Sequence, residues 1–500
     1  LKNDWHFDGV VVSDWGGAHD TDQAVRNGLD MEFGSWTNGL SWGASNAYDS
    51  YYLARPYLKA IQEGKYTTRE LDEKVRRVLR LFYRTTMNRH RPHGFLCSDG
   101  HYATARQIAE EGIVLLQNRN RVLPINTQKV RHVLVVGENA IKMMTVGGGS
   151  SSLKVQREIS PLQGLQARLA KDGVEVDFAR GYVGDVTGAY NGVTTGQNLE
   201  DKRSEAELIA EAVEKAKAAD CVILFGGLNK SDYQDCEGHD RQQYELPYAQ
   251  DKLITALAAA NKNFVYVNIS GNAVAMPWRN KVPAIVQGWY LGSEAGEALA
   301  SVLTGDANPS GKLPFTWVKS LQDVGAHALN TYPGTWRKEG GSKTEGNIID
   351  EEYKEGIYVG YRWTDRKKQR PVFAFGHGLS YTQFAISNLR ADKASMTAAD
   401  SITFTVQVKN IGQRAGSETV QLYVHDAKAS VDRPLKELKG FCKVSLQPGE
   451  SKDVSITLGK DALSFYDETT ASWKAEPGQF EAWVGNASDN LKLRKSFQLK

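Results

Sequence analysis

The stretch Asp8-Gly-Val-Val-Val-Ser-Asp-Trp-Gly-Gly17 decides how this chain is read. Val10, Val11 and Val12 form an unbroken β-branched run, the pattern of a strand buried on both faces in a parallel sheet. The run halts at Ser13-Asp14-Trp15, and Gly16-Gly17 then lets the backbone turn sharply. A carboxylate at the C-terminal mouth of a buried parallel strand stands where α/β barrels do their chemistry. Beside it, Trp15 offers a flat apolar face of the kind that stacks on sugar rings. The plainer alternative is that Asp14 caps the helix that follows.

Composition narrows the field around that stretch. Five hundred residues exceed a single core, so about two to four domains are expected. A net charge of +2 gives no footing for a nucleic-acid partner. No apolar run approaches the roughly 18 residues of a membrane span, so no membrane partner is expected. Cys97, Cys221, Cys236 and Cys442 are scattered without metal-ligand spacing, which argues against a zinc site or a disulfide framework.

Residues 1–100 read as the C-terminal part of a barrel of alternating strands and helices, with Gly28–Phe33 as a further strand. Tyr51–Ile61 and Thr68–Tyr83 carry helical periodicity, the second opening at Thr67 and Thr68. Arg76, Arg77, Arg80 and Arg84 read as a solvated face, and Arg89-His-Arg-Pro-His-Gly94 as a linker. A full eight-fold barrel takes on the order of 250 residues. Its other strand–helix units are expected in a longer chain or in a separate polypeptide. Leu1 is no start methionine, and no signal-peptide pattern follows it.

Residues 101–382 alternate strands with helices and predict an α/β sandwich on a mainly parallel, doubly wound sheet. The strand-like runs are Val130–Val136, Val174–Phe178, Cys221–Phe225, Phe264–Ile269 and Ala284–Trp289. Helical patterns fall at Leu162–Leu169, Glu205–Ala218, Ala249–Ala260 and Glu294–Leu303. Gly147-Gly-Gly-Ser-Ser-Ser152 lacks the Lys-Ser/Thr ending of a phosphate loop, which argues against nucleotide binding. Residues 383–500 carry short alternating strands and Pro-Gly turns, the pattern of an immunoglobulin-like sandwich.

Several stretches share a resemblance. Leu1-Lys-Asn-Asp-Trp-His-Phe-Asp-Gly-Val-Val-Val-Ser-Asp-Trp15 closely resembles the nucleophile segment of glycoside hydrolase family 3, the β-glucosidase and β-xylosidase family. Glu237-Gly-His-Asp-Arg241, followed by Leu246-Pro-Tyr-Ala-Gln250, resembles the family's acid/base segment. Glu111–Asn118, Asn308–Pro314 and Tyr353–Trp363 resemble structural turns and helix openings of the family, and Phe375–Thr382 the start of its fibronectin type III-like domain.

The resemblance implies a retaining, exo-acting β-glycosidase. Its most direct form is a β-glucosidase releasing glucose from the non-reducing end of a β-linked oligosaccharide or an aryl β-glucoside. A β-xylosidase and a non-catalytic carbohydrate-binding protein on the same scaffold are the alternatives. Carried over by motif, Asp14 is the nucleophile and Glu237 the acid/base; many members carry a second Glu two positions earlier, where Asp235 stands as the other candidate. Trp15, Gly148, Ser150 and Asp235 are the implied substrate-binding residues. Retention needs one ionised and one protonated carboxyl group ~5–5.5 Å apart. Glu237 is therefore expected to have a raised pKa on a poorly solvated loop, and Asp240 and Arg241 to pair and hold that loop. Trp336, Tyr361 and Trp363 line outer sugar sites or belong to the core. No cofactor and no metal are implied. The family's Lys-His pair and its Asp and Arg sugar contacts are not found in this chain, so the missing barrel segment is an expected partner. A homodimer is left open, and a periplasmic or extracellular location is the expectation.

Overall fold

Alternate residues of the apolar runs feed two separate cores, one on each face of a single six-stranded sheet. The computed structural model describes residues 1–33, 47–145, 147–184, 196–237, 240–336 and 349–500. These fall into two units, Leu1–Leu96 and Cys97–Lys500.

In the larger unit the strands are β1 (Val114–Asn118), β2 (His132–Val136), β3 (Glu175–Ala179), β4 (Cys221–Gly227), β5 (Phe264–Ile269) and β6 (Ala284–Gln287). Their order across the sheet is β1-β6-β5-β4-β2-β3, parallel throughout except for β1 against β6. Leu134, Val136, Val222 and Leu224 point to one core, packed with Ala212 and Ala216 of one helix and Leu253 and Leu257 of another. Val133, Val135, Ile223 and Phe225 point to the other, against Leu165, Leu169 and Leu299. Every residue of β4 is buried, as a parallel strand roofed by helices on both faces must be. The segment Val114–Asn118, read as part of a turn or helix opening, is instead an antiparallel edge strand. Its pairing to Ala284–Gln287 is an interaction across the chain that local periodicity does not carry.

The last domain is a sandwich. A five-stranded sheet contains Gly416–Asp426, Glu437–Leu446 and Gly478–Gly485, and a three-stranded sheet contains Ser401–Asn410 and Ser451–Gly459. Phe404, Phe480 and Phe497 fill its core. The conjunction of two family-like stretches locks it to the α/β domain. Asn308 accepts from the backbone N–H of Tyr381 and the Ser380 hydroxyl, both at 2.8 Å, and donates to the Ala415 carbonyl at 2.8 Å. Lys312 pairs with buried Glu418 at 2.7 Å.

The smaller unit departs further from its sequence reading. Val12 meets Met31 in a single parallel bridge. Val12 is 42% exposed, and Val10 and Val11 are only half-buried. An inner strand of a parallel sheet has a paired neighbour at each edge and a packed layer on each face, and within this unit the described residues supply one bridged neighbour and leave Val12 exposed. The first helix, α1 (Thr21–Arg26), is followed by α2 (Arg55–Gln62), which starts four residues later than its periodicity suggested. The Glu32 carboxylate takes the N–H groups of Tyr52 and Leu53 at 3.1 and 2.7 Å, and Pro56 then favours the first helical turn. The third helix, α3 (Thr68–Arg84), opens on Thr67, whose hydroxyl accepts from the Arg69 N–H at 3.2 Å.

Of the α3 arginines read as a solvated face, Arg76 fits that reading, while Arg77, Arg80 and Arg84 do not. Arg77 donates to the carbonyls of Phe7 and Gly9 at 3.0 and 2.8 Å, Arg80 donates to that of Asp8 at 2.8 Å, and Arg84 chelates the Asp8 carboxylate. They clamp the segment that leads into Val10–Val12.

Candidate active site

Asp14 sits two residues beyond the bridged position of Val12, at the C-terminal end of that strand segment. Ser13 fixes the local frame: its N–H reaches the Met31 carbonyl at 2.9 Å and its hydroxyl accepts from the Phe33 N–H at 2.8 Å. The Asp14 side chain is exposed, and one of its oxygens accepts from the Trp15 N–H at 2.9 Å. It does not cap the next helix. Asp20 does that, accepting from the Gln23 N–H at 2.8 Å. Trp15 is 69% exposed, with its ring stacked on Phe33 at a centroid distance of 5.9 Å.

The other residues singled out from the sequence lie in the larger unit, at the switch point of its sheet. The connection after β2 returns to one edge through β3, and that after β4 to the other edge through β5. Loops leaving the C-terminal ends of β2 and β4 therefore border the crevice where open α/β sheets place ligands. The glycine-rich loop follows β2, and the loop carrying Asp235 and Glu237 follows β4.

These loops touch. The Glu237 N–H donates to the Gly148 carbonyl at 2.6 Å, and the Ser150 N–H donates to the Glu237 carboxylate. A Cβ at Gly149 would collide with the Glu237 side chain, and one at Gly148 with the Lys230 carbonyl. Gly148 and Gly149 are thus required by close approach, and Gly148, Ser150 and Glu237 form one cluster. Glu237 itself is exposed, and the hydrogen bond from Ser150 lowers its carboxyl below the usual 4.5. The expected raised value is not found in the larger unit by itself: the carboxylate is exposed there, and the hydrogen bonds from Ser150 outweigh the opposing desolvation.

Asp235 faces the other way. Its carboxylate accepts from the Gly271 N–H at 2.7 Å, the Asn272 side-chain amide at 2.8 Å and the Tyr290 hydroxyl at 2.8 Å. Asp240 and Arg241, expected to pair with each other, take separate partners: Asp240 accepts from the Tyr332 hydroxyl, and Arg241 donates to the Ala273 carbonyl at 2.7 Å. Each still anchors the loop. Trp363 is a buried core residue, and the Tyr361 ring packs on Phe375 and Tyr423. The Trp336 side chain lies outside the described part of the structure.

Several supporting side chains carried no sequence signal. Glu138 and Arg180, both buried, pair at 2.7 Å beyond the ends of β2 and β3. Asn139 donates to the carbonyls of Gly226 and Leu228 at 3.2 and 3.0 Å. Lys230 is half-buried with its ammonium 4.7 Å from the Tyr290 ring centroid, and burial lowers its pKa. A polar pair directly after a buried strand, Glu138-Asn139, was the one hint available.

Among the described residues no cluster of three or more His, Cys, Asp or Glu side chains could hold a metal ion, and no helix is long and apolar enough to cross a membrane. A cavity of about 880 Å³ lies at the junction with the sandwich, lined by Arg121, Gln128, Tyr381 and Arg414 among others. It has no carboxylate in its lining, so it does not supply the pair of carboxyl groups that a retaining hydrolysis uses.

Comparison with known proteins bears on what these loops serve. Residues 113–361 match the glycosyl hydrolase family 3 C-terminal domain, and residues 418–488 a fibronectin type III-like domain. A β-glucosidase of Rhizobium radiobacter is 30% identical over 100% of this chain and 74% of its own length. The chain belongs to glycosyl hydrolase family 3. The β-glucosidase BoGH3A of Bacteroides ovatus is 47% identical over the whole chain, which spans 65% of that relative's length. The crystal structure of a family 3 β-glucosidase from Bifidobacterium adolescentis superposes with a TM-score of 0.83 at 32% identity, over 100% of this chain and 66% of that one. From residue 113 onward the chain therefore has the family's C-terminal α/β sandwich domain followed by a fibronectin type III-like domain. The chain spans slightly less than two thirds of the B. ovatus and B. adolescentis proteins.

Proposed function

We propose that this chain serves a retaining, exo-acting β-glucosidase that removes glucose from the non-reducing end of β-linked oligosaccharides or aryl β-glucosides. Asp14 is the nucleophile and Glu237 the acid/base. The observation that carries the reading is the Asp14 carboxylate: it is exposed at a strand end beside an exposed tryptophan, and Asp20 relieves it of capping duty.

In the first step a carboxylate oxygen of Asp14 bonds to the anomeric carbon. The glycosidic C–O bond breaks, and its electron pair stays on the leaving oxygen, which takes the proton of Glu237. In the second step Glu237 takes a proton from water, whose oxygen displaces Asp14 and restores the anomeric configuration. Glu237 must begin protonated. A sugar covering the loop would exclude water and oppose the lowering by Ser150. Carboxyl groups alone suffice for this chemistry.

The similarity to named β-glucosidases supports glucose as the sugar, and the names are those of the relatives. The family's sugar-gripping residues were not found in this chain, so the reading assigns them to further barrel polypeptide. Residues 1–500 alone are then expected to show no turnover. Export to the periplasm or the medium belongs to the same proposal and rests on the family alone; fractionation of the producing cells tests it.

The decisive experiment treats the complete enzyme with a 2-deoxy-2-fluoro-glucosyl inhibitor that traps the covalent intermediate, followed by peptide mapping. Label on the Asp14 peptide, lost in Asp14→Asn, is the expected result. Label on another residue overturns the nucleophile, and preferential labelling by the xylosyl analogue replaces glucose with xylose. Turnover by residues 1–500 without any companion polypeptide would overturn the need for more barrel.

A further inference from the structure

We propose that Asp235 is a positioning residue: its carboxylate, held by Tyr290 and the Gly271–Asn272 turn, sets where the loop after β4 presents Glu237. This rests on the reading of Glu237 as acid/base and revises the expectation that Asp235 binds substrate.

The loop leaves the sheet at Leu228, whose N–H donates to the Ile269 carbonyl at 2.8 Å. It closes on itself at once. The Asp235 N–H reaches the Asn229 carbonyl at 3.1 Å, and the Gln234 side-chain oxygen takes the Asn229 N–H at 2.9 Å. Gln234 in turn donates to the Tyr248 hydroxyl, whose ring stacks on buried Tyr182. The loop is thus a compact body with Asp235 at its outgoing end.

What orients that body is the Asp235 carboxylate. One oxygen receives the Asn272 amide, and the other receives the Gly271 N–H and the Tyr290 hydroxyl. Gly271 and Asn272 follow β5, and Tyr290 follows β6, so one side chain ties the loop to two neighbouring sheet connections. The Tyr290 hydroxyl also lies 3.2 Å from the Asn229 carbonyl, joining both ends of the loop. Burial, with the Asp235 charge beside it, holds the Tyr290 phenol well above its usual 10.0, so it remains a donor. Charge-assisted bonds of this kind are short and directional. Three donors already converge on Asp235, which suits it to hold a frame rather than to grip a sugar that comes and goes.

Glu237 is two residues further on, its N–H fixed by Gly148 at 2.6 Å. With Asp235 removed, Glu237 would keep the contact with the glycine-rich loop and the anchors at Asp240 and Arg241, but would lose the tie that fixes the side of the loop leading into it. Misplacement of a proton donor by about 1 Å costs on the order of 10²-fold in rate. That loss falls selectively on substrates whose leaving group needs the proton.

The test compares Asp235→Asn, Tyr290→Phe and Glu237→Gln in the complete enzyme, using phenyl β-glucoside and 2,4-dinitrophenyl β-glucoside. Glu237→Gln should lose kcat/KM on the phenyl substrate, keep it on the dinitrophenyl one, and form glucosyl azide when azide is added. Asp235→Asn should lose on the order of 10²-fold on the phenyl substrate and only a few-fold on the dinitrophenyl one. Tyr290→Phe, which keeps the carboxylate and removes one donor, should shift in the same direction by less, so the test survives if Asp235→Asn fails to fold. Equal losses on both substrates, or no loss on either, overturn the positioning role. Azide rescue of Asp235→Asn instead of Glu237→Gln would make Asp235 the acid and overturn it as well. Absence of leaving-group dependence in Glu237→Gln would overturn the acid/base reading, and this inference with it.

Discussion

At Gly149 the backbone takes φ +144°, and any side chain there meets Glu237. Gly149→Ala therefore combines backbone strain with displacement of the proposed acid/base. Gly173, at φ +68°, has open space around it and isolates the strain alone. Both alanine variants should lose about 1–3 kcal/mol of stability, read by thermal or urea unfolding. Only Gly149→Ala should also lower kcat in the complete enzyme, by on the order of 10²-fold. Equal activity in the two variants would count against the loop's hold on Glu237. The glycine run itself was legible in the sequence; that some group comes close to its backbone was implied only by family likeness, with substrate as the expected group. That the approaching group is Glu237, nearly 90 residues on, was not (87 positions separate it from Ser150).

Among elements, α3 shows how far periodicity carries and where it stops. Its apolar residues Leu71, Val75, Leu79 and Phe82 recur at helical spacing, and the helix lies where they put it, though all four remain exposed in the structure. Its arginines looked alike in sequence and are not alike in the fold. The Arg77 side chain is 11% exposed and holds the carbonyls of Phe7 and Gly9, whereas that of Arg76 is 63% exposed and meets only Glu73. Arg77→Ala should cost about 1.5–3 kcal/mol, since hydrogen bonds to a partly buried charge are lost. Arg76→Ala should cost under about 0.5 kcal/mol, as an exposed helix pair does. Paired urea-unfolding curves distinguish them, and equal midpoints would mean that Arg77 clamps nothing. The partners of Arg77 lie up to 70 positions away, a distance that no helical period records.

For the molecule as a whole, His377 supplies a pH dependence. Its Nε2 lies 2.8 Å from the Leu116 carbonyl of β1, and its ring stacks on Phe373. Burial pushes the imidazole below its usual 6.5, Lys312 and Arg279 push it lower, and the Leu116 carbonyl and Asp489 oppose them. In the unfolded chain the ring titrates near 6.5. Between that value and the lower folded one the unfolded state binds the extra proton, so stability falls as pH drops through this window. The loss approaches about 1.4 kcal/mol for each unit separating the two values. Melting temperatures of wild type and His377→Gln at about pH 7.5 and about pH 5.5 check this. The wild type should fall further than the variant; identical falls would assign the sensitivity to other groups.

The sequence by itself determined the kind of the inner strands and their crossover helices in the α/β domain and of the long strands in the sandwich, because a strand's alternation and a helix's 3.6-residue period are local properties of the chain. It also determined the family, through Val10–Trp15, the acid/base-like loop and Phe375–Thr382 in their order. Only the tertiary structure decided that Val114–Asn118 is an edge strand, that Asp20 and not Asp14 caps a helix, and that Asp235 holds the loop while Glu237 stays exposed. The reason is physical. Which donors fill a carboxylate's lone pairs depends on residues brought together from 36 and 55 positions away, and only the folded chain brings them within 3 Å.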